Sequence, residues 1–202
     1  MKRYGIFGGT FDPPHIAHCI IADDVREQMH LDKIIFIPSG NHPLKDTGEV
    51  IPAKHRLEMA RLAFQDDENF EVSDIEIARA NGKSYTVDTL IELKKKYKDD
   101  FVKLYLILGI DNLIDFAKWK NPEKLFLLSE VLIIGRPNYL VQDAKPEYTS
   151  MVKFLSTPQI EISSSLIRDY VENGKSIKYL VNSGVEKYIY EHNLYTGKQN
   201  VK

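Results

Sequence analysis

The fold of this chain is set by its first motif, Gly5-Ile6-Phe7-Gly8-Gly9-Thr10-Phe11-Asp12-Pro13-Pro14-His15-Ile16-Ala17-His18. The apolar run Tyr4 to Phe7 predicts a buried strand that ends in the glycine pair Gly8-Gly9. Glycines at a strand end let the backbone approach a ligand, and the N-terminus of the following helix offers unpaired N–H groups to an anion. The motif therefore predicts a nucleotide-phosphate site at the head of an α/β sheet.

The two histidines of this motif allow three interpretations. His15 and His18 are three positions apart, so a helix that begins between them would turn both side chains the same way. They could bind a metal ion, although no acid or cysteine nearby completes a familiar ligand set. They could instead donate to a phosphate, or simply bond the backbone at the start of the helix.

Apolar strands alternate with helical patterns along the remaining chain. The predicted strands after the first are Ile34–Pro38, Phe70–Ala78, Leu104–Gly109, Val131–Gly135 and Gln159–Ile162. The predicted helices are 18–29, 52–64, 86–97, 111–116, 122–128, 163–172 and 185–192, with residues 147–155 as a further candidate.

This alternation defines the expected fold class as α/β, a Rossmann-like, doubly wound and mainly parallel sheet with a small C-terminal helical part. We expect one domain over residues 1–202, with the helical part at about 163–195. Ligands of such sheets bind beyond the carboxyl ends of the strands. Four polar segments follow predicted strands and are expected to share one cleft: Gly8–His18, Ser39–Lys45, Gly109–Asp111 and Gly135–Pro137.

Composition narrows the class of protein. A net charge of −2 gives no reason to expect bulk binding to nucleic acid or to an anionic membrane. The lone Cys19 excludes an internal disulfide and a cysteine-rich metal site. The first strand begins at once, and the apolar runs are too short to span a bilayer. We therefore expect a cytoplasmic protein without nucleic-acid or membrane partners.

Motifs at both ends of the chain resemble the nucleotidyltransferase superfamily that carries a histidine-x-glycine-histidine signature. Gly8–Pro13 with His15 and His18 is similar to its first motif, although Ala17 stands where glycine is usual, and Ile162–Arg168 is similar to its second. Within the superfamily the chain resembles the bacterial nicotinate-nucleotide adenylyltransferases. The segments that carry this likeness are Pro38–Asn41 with Lys45, His55–Met59, Ser84–Leu90, Gly109–Asp111, Trp119, Gly135–Pro137 and Tyr188–Tyr195.

The resemblance implies transfer of AMP from ATP to nicotinate mononucleotide, which yields the dinucleotide and pyrophosphate in NAD biosynthesis. The implied catalytic residues, which bind phosphates, are His15, His18, Lys45 and Arg168. The implied contacts to ATP are Gly8, Gly9, Thr10, Phe11, Ser163 and Ser165. The implied contacts to the acceptor are Thr86, Asp111, Trp119 and Arg136.

The resemblance also implies Mg²⁺, bound mainly through the ATP phosphates and water rather than by a protein metal site. ATP and nicotinate mononucleotide are the implied partners, while the sequence leaves the oligomeric state open, with a homo-oligomer possible. Transfer to nicotinamide mononucleotide or phosphopantetheine, or a nucleotide sensor without turnover, are the alternatives.

Each implied role has a simpler alternative. Ser163 and Ser165 could only cap a helix, and Arg168 could be a surface ion pair of small energy. Lys45 could be a solvated lysine, and Thr86 or Asp111 a helix cap. Trp119, the single tryptophan, could be a core residue instead of a surface that stacks on the nicotinate ring.

Overall fold

The computed structural model describes residues 1–40, 50–79, 83–135 and 143–197. Within these ranges six strands form one parallel sheet in the order β3-β2-β1-β4-β5-β6. The strands are β1 (Lys2–Gly9), β2 (Lys33–Pro38), β3 (Phe70–Val72), β4 (Val102–Gly109), β5 (Glu130–Ile134) and β6 (Lys153–Leu155). The expected α/β class and parallel sheet are confirmed.

Helices connect the strands and cover both faces of the sheet. They are α1 (Ile16–Gln28), α2 (Ala53–Phe64), α3 (Thr86–Lys96), α4 (Ile110–Ile114), α5 (Pro122–Leu128), α6 (Pro146–Thr149), α7 (Ser164–Glu172) and α8 (Ser183–Glu191). Short 3-10 helices lie at Lys98–Asp100 and Phe116–Lys118. The strand order reverses direction at β1, so the cleft beyond β1 and β4 is the place where such a sheet binds its ligand.

Two hydrophobic clusters, one on each face of the sheet, explain why the strands read as continuous apolar runs. Phe7 and Ile107 belong to one cluster, whereas their neighbours Ile6 and Leu106 belong to the other. Successive strand residues point to opposite faces, so both alternating sets must be apolar when helices cover both sides. This arrangement leaves the ends of the strands, rather than their faces, to carry polar chemistry.

The C-terminal helices share the first of these clusters. Ile167 of α7 and Val185 and Ile189 of α8 are fully buried in it, and α8 packs on α2. The single domain over residues 1–202 stays a prediction, and this shared core supports it. Among the described residues, no helix is long and apolar enough to cross a membrane.

The sheet differs from the predicted one at three places. The predicted strand Phe70–Ala78 ends at Val72, because the chain turns away after Ser73 N–H donates to Phe36 O. The predicted helical stretch 147–155 is a short helix, α6, followed by β6, which pairs with Leu132–Ile134 of β5. The predicted strand Gln159–Ile162 is wrong, since β6 already occupies that edge and these residues are exposed or half-buried.

Candidate active site

The two glycines at the end of β1 have different surroundings: Gly8 faces open space and Gly9 is packed against protein atoms. A Cβ added at Gly8 would meet no protein atom within 4 Å, so this position opens on free space. A Cβ at Gly9 would lie 3.0–3.2 Å from the Phe11 ring, and Gly9 O accepts a hydrogen bond of 2.8 Å from Ser39 N–H. Gly8 thus faces space that a ligand can fill, while Gly9 fixes β1 to the end of β2.

Phe11 is a core residue in the turn between β1 and α1. Its φ of 50° lies in the left-handed region, which is unfavourable for a residue with a large side chain. The ring is 2% exposed and makes edge contacts with Phe36 and Phe64 at centroid distances of 6.1 and 5.7 Å. These contacts hold the turn that carries the chain from β1 to α1.

The two histidines lie together at the start of α1. His15 is the N-cap residue, and its ring stacks on the ring of His18 with centroids 3.7 Å apart. His15 N–H donates to Nδ1 of His18 at 3.1 Å. Because Nδ1 accepts this bond, a neutral His18 carries its proton on Nε2, which is the tautomer that can donate to an external anion.

The serine-rich motif caps α7 and orients its arginine. Ser163 is the N-cap of α7, and its hydroxyl oxygen accepts from Leu166 N–H at 3.1 Å. Arg168 donates to Ser165 Oγ at 3.2 Å and to Asp12 O at 2.8 Å. Its guanidinium is therefore held beside the first motif and is not a free surface group.

Two further contacts join the ends of the chain. Ser164 Oγ donates to Pro13 O at 2.8 Å, which docks the start of α7 on the loop before α1. Tyr195 Oη donates to the buried carboxylate of Asp12 at 2.7 Å. Burial, followed by the negative charge of Asp12, raises the pKa of Tyr195 well above its ordinary value, so this hydroxyl remains a donor.

A cleft of about 800 Å³ opens beyond the carboxyl ends of β1, β2 and β4. Its lining includes Gly8, Gly9 and Thr10 on one side and Thr86, Asp111 and Trp119 on the other. Tyr85, the N-cap residue of α3, makes no side-chain hydrogen bond to the first turn that Thr86 begins. Asp111 is the second residue of α4, the helix that follows β4 directly.

Trp119 lies in the loop before α5, as its polar neighbours predicted. One face of its ring packs against Phe116, with centroids 5.3 Å apart, and the side chain is half-buried at the cleft. The adjacent Lys120 pairs with Asp88 of α3 at 2.8 Å and lies 4.6 Å above the Tyr85 ring. These contacts attach the tryptophan loop to the start of α3.

The described site residues that were predicted fall into two groups, one around the first motif and the other along the cleft. His15 and His18 form one pair, and Ser165 and Arg168 another, joined through Asp12 and Pro13. These four residues are not among the lining residues of the cleft, which contains the predicted acceptor residues. Lys45 and Arg136 lie outside the described residues.

Sequence reasoning missed a buried arginine that connects the segments around the cleft. Arg56 of α2 is 3% exposed and donates to Ile51 O, Thr10 O and Gly40 O at 3.2, 2.8 and 3.4 Å. Burial lowers the pKa of its guanidinium, while the charge of Asp12 opposes that shift. An arginine among the apolar positions of a predicted helix was the available signal.

The described part of the chain contains no ligand set for a protein metal site. No group of three or more His, Cys, Asp or Glu side chains there could hold a metal ion. The histidine pair alone lacks the third and fourth ligands of a typical protein-bound transition metal. The metal interpretation of His15 and His18 therefore has no further ligand to support it within those residues.

Residues 6–170 match the family model described as cytidylyltransferase-like. The match spans most of the chain, and it includes both motifs that meet beside the cleft. Fold and site together thus define a nucleotidyltransferase of the cytidylyltransferase-like class.

Relatives with similar sequences narrow this class. A probable nicotinate-nucleotide adenylyltransferase of Lachnoclostridium phytofermentans is 37% identical, with 96% of this chain and 100% of the relative covered. A protein of the same name from Dehalococcoides mccartyi strain CBDB1 is 40% identical, covering 97% of this chain and 98% of the relative. The chain belongs to the nicotinate-nucleotide adenylyltransferase family.

A solved structure confirms the fold. Nicotinic acid mononucleotide adenylyltransferase of Plasmodium falciparum, complexed with NaAD, superimposes with a TM-score of 0.78 over 96% of this chain and 98% of that one. The two sequences are 23% identical, so this likeness concerns the architecture of the sheet and its helices.

Proposed function

We propose that this protein transfers the AMP group of ATP to nicotinate mononucleotide, giving nicotinate adenine dinucleotide and pyrophosphate in NAD biosynthesis. The observation that carries the proposal is the junction of the two end motifs. Arg168 and Ser164 bond the carbonyls of Asp12 and Pro13, next to the histidine pair and beside the cleft that holds Thr86 and Trp119.

The reaction is a displacement at phosphorus. A phosphate oxygen of nicotinate mononucleotide attacks the α-phosphorus of ATP, and the bond from that phosphorus to the β-phosphate oxygen breaks. No protein nucleophile is needed, so the protein contributes position and neutralisation of charge. Its donors must therefore surround the three phosphates of ATP and the phosphate of the acceptor.

The histidine pair and the α7 motif supply these donors in our proposal. His18 donates from Nε2 to an α-phosphate oxygen, where charge develops, and His15 assists from the stacked ring. Ser163, Ser165 and the start of α7 hold the β- and γ-phosphates. Arg168 binds the leaving pyrophosphate, and Lys45 adds a further cation to the phosphates.

The glycine pair gives the nucleotide access to the protein backbone. The open space at Gly8 admits a ligand close to the main chain. In this proposal Gly9, Thr10 and Phe11 are further contacts to ATP. Phe11 contributes through its main chain only, because its ring lies in the core.

The acceptor binds at the other side of the cleft in this proposal. The backbone N–H of Thr86, at the start of α3, receives the nicotinate carboxylate, an arrangement that the helix dipole favours. The exposed face of Trp119 stacks on the pyridine ring, Asp111 bonds the ribose, and Arg136 contacts the same nucleotide.

Mg²⁺ fits this site as an ion carried by the substrate. It prefers oxygen ligands and usually keeps several waters, so the triphosphate can hold it without a protein cage. When bound, it would neutralise part of the phosphate charge. We further propose a cytoplasmic protein that acts on small nucleotides, with no nucleic-acid or membrane partner; the homo-oligomer stays a prediction.

The proposal is tested by measuring pyrophosphate release from ATP and Mg²⁺ with each acceptor separately. We expect turnover with nicotinate mononucleotide to exceed that with nicotinamide mononucleotide and with phosphopantetheine. Equal or faster turnover with either alternative would overturn the substrate assignment. Binding of ATP without pyrophosphate release from any acceptor would instead identify a nucleotide sensor.

A further inference from the structure

The peptide of Gly40, two residues after the end of β2, is held between the buried Arg56 and the half-buried Glu76, two side chains of opposite charge. Its N–H donates to the carboxylate of Glu76, and its carbonyl accepts from Arg56 at 3.4 Å. A Cβ at this position would lie 2.6 Å from both Glu76 O and Ser84 Oγ, so no side chain fits. The end of β2 therefore has little freedom to move relative to the segments that contain Glu76 and Ser84.

Glu76 collects hydrogen bonds from both sides of the cleft. Thr89 Oγ1 of α3 donates to its carboxylate at 2.7 Å, and the hydroxyl of Ser84 and the N–H of Gly40 donate as well. Burial raises the pKa of Glu76, and these three donors act in the opposite direction. The Glu76 carboxylate thus lines the cleft and bonds two separate segments of the chain. It holds these segments at a fixed distance from each other.

We propose that Glu76 is a positioning residue for the acceptor nucleotide, because it fixes the start of α3 against the end of β2. This inference rests on the proposed function, in which Thr86 and the Trp119 loop bind the acceptor. Glu76 acts through Ser84 and Thr89, which flank Thr86, and through Gly40, which follows the cleft residue Ser39. It need not touch the reacting atoms.

The chemistry of this position calls for a carboxylate. Its two oxygens only accept, so they can serve three donors at once. Glutamine would replace one oxygen with an NH₂ group that faces a donor. The Thr89 hydroxyl is hydrogen-bonded as both donor and acceptor: it donates to Glu76 and accepts from Arg79 Nη2 at 3.0 Å. Removal of that hydroxyl leaves the carboxylate one donor short without changing the volume of the side chain.

The test compares Thr89→Val with Thr89→Ser in the full-length protein, with Glu76→Gln as the second disruptive variant. Steady-state kinetics with ATP, Mg²⁺ and nicotinate mononucleotide give kcat and both KM values. Thr89→Val and Glu76→Gln should raise KM for the acceptor about tenfold, the effect of one lost bond to a charged group, and change KM for ATP by less than about twofold. Thr89→Ser should restore the wild-type KM because it keeps the hydroxyl.

Glu92→Gln is the matched control. It removes the ion pair between Arg79 and Glu92, at 3.0 Å, and leaves every bond to Glu76 in place. The inference would be overturned if folded Thr89→Val and Glu76→Gln kept the wild-type KM for the acceptor. It would also be overturned if both KM values rose equally in these variants and in Thr89→Ser. Wild-type protein that fails to turn over nicotinate mononucleotide would overturn the proposed function, and this inference with it.

Discussion

At the scale of single residues, His18 is the clearest case of a side chain oriented before any ligand binds. Nδ1 accepts the His15 N–H, and the ring packs edge-on against Phe7 and Phe11 at centroid distances of 6.0 and 5.1 Å. In the neutral ring the proton therefore lies on Nε2. Preorganised donors of this kind are effective because they need not reorient as charge develops.

Substitution His18→Ala should lower kcat about 100-fold, or about 3 kcal/mol of transition-state stabilisation, because it removes a donor to the α-phosphate. Steady-state turnover measures the loss, and a melting curve verifies that the protein is folded. His55→Ala is the control, since His55 contacts Tyr188 at 3.0 Å on another helix. Turnover of His18→Ala close to wild type would reduce His18 to a structural role.

Substitution Trp119→Ala should raise KM for nicotinate mononucleotide about tenfold, through loss of ring stacking, and leave KM for ATP nearly unchanged. Trp119→Phe keeps an aromatic face and should retain most of the affinity. Both KM values are measured for the two variants. A larger effect on ATP than on the acceptor would contradict stacking on the pyridine ring.

The protonation of Glu76 predicts a pH-dependent stability. Its folded pKa is raised from 4.5, mainly by burial, so the folded state holds the proton to higher pH than the unfolded chain does. Stability from this group is therefore present below about pH 4.5 and is lost as pH rises through the folded pKa.

Urea unfolding of wild type and Glu76→Gln between about pH 4.5 and 7.5 measures this loss, since glutamine does not titrate. Wild type should become less stable relative to Glu76→Gln as pH rises across that window. Glu92→Gln, which retains Glu76, should follow the wild-type curve. Parallel curves for wild type and Glu76→Gln would exclude the raised pKa.

At the scale of elements, α7 and the segment after α8 both attach to one turn of the chain. Ser164 and Arg168 bond the backbone of that turn, and Tyr195 bonds the Asp12 side chain. Asp12 is 3% exposed, and its Oδ1 accepts a hydrogen bond from the Tyr195 hydroxyl. The position of Arg168 in the site thus depends on two elements from the far end of the chain.

Substitution Tyr195→Phe should lower the free energy of unfolding by about 1–3 kcal/mol, because the buried Asp12 carboxylate loses a hydrogen bond. Urea unfolding at neutral pH measures this change. Tyr190→Phe is the control, since Tyr190 lies on α8 and is 46% exposed. Equal stability of the two variants would show that the bond to Asp12 contributes nothing net.

The central strands were predictable because burial on both faces of the sheet gives their sequences a recognisable apolar pattern. β1, β2, β4 and β5 are covered on both faces, so each contains a continuous apolar run after the charged residues near its start. β6 has only three residues at the sheet edge, of which Lys153 and Phe154 are exposed, so it carries no such pattern. Its strand conformation depends on pairing with β5, which sequence alone does not reveal.

At the scale of the whole molecule, the site is assembled from segments that are distant in sequence. The motifs around His15 and Arg168 were recognisable because their residue types and spacing are local. The contact between Glu76 and Thr89 was not, since no local pattern in the sequence indicates that these two side chains meet. Such contacts follow from the packing of the completed sheet.

The central claim is that the acceptor phosphate attacks the α-phosphorus of ATP. It is tested most directly with nicotinate mononucleotide whose phosphate carries ¹⁸O, incubated with ATP, Mg²⁺ and the protein, followed by mass spectrometry of both products. We expect equal amounts of nicotinate adenine dinucleotide and pyrophosphate, with all of the label in the dinucleotide. Label in pyrophosphate, or pyrophosphate released without the dinucleotide, would contradict it.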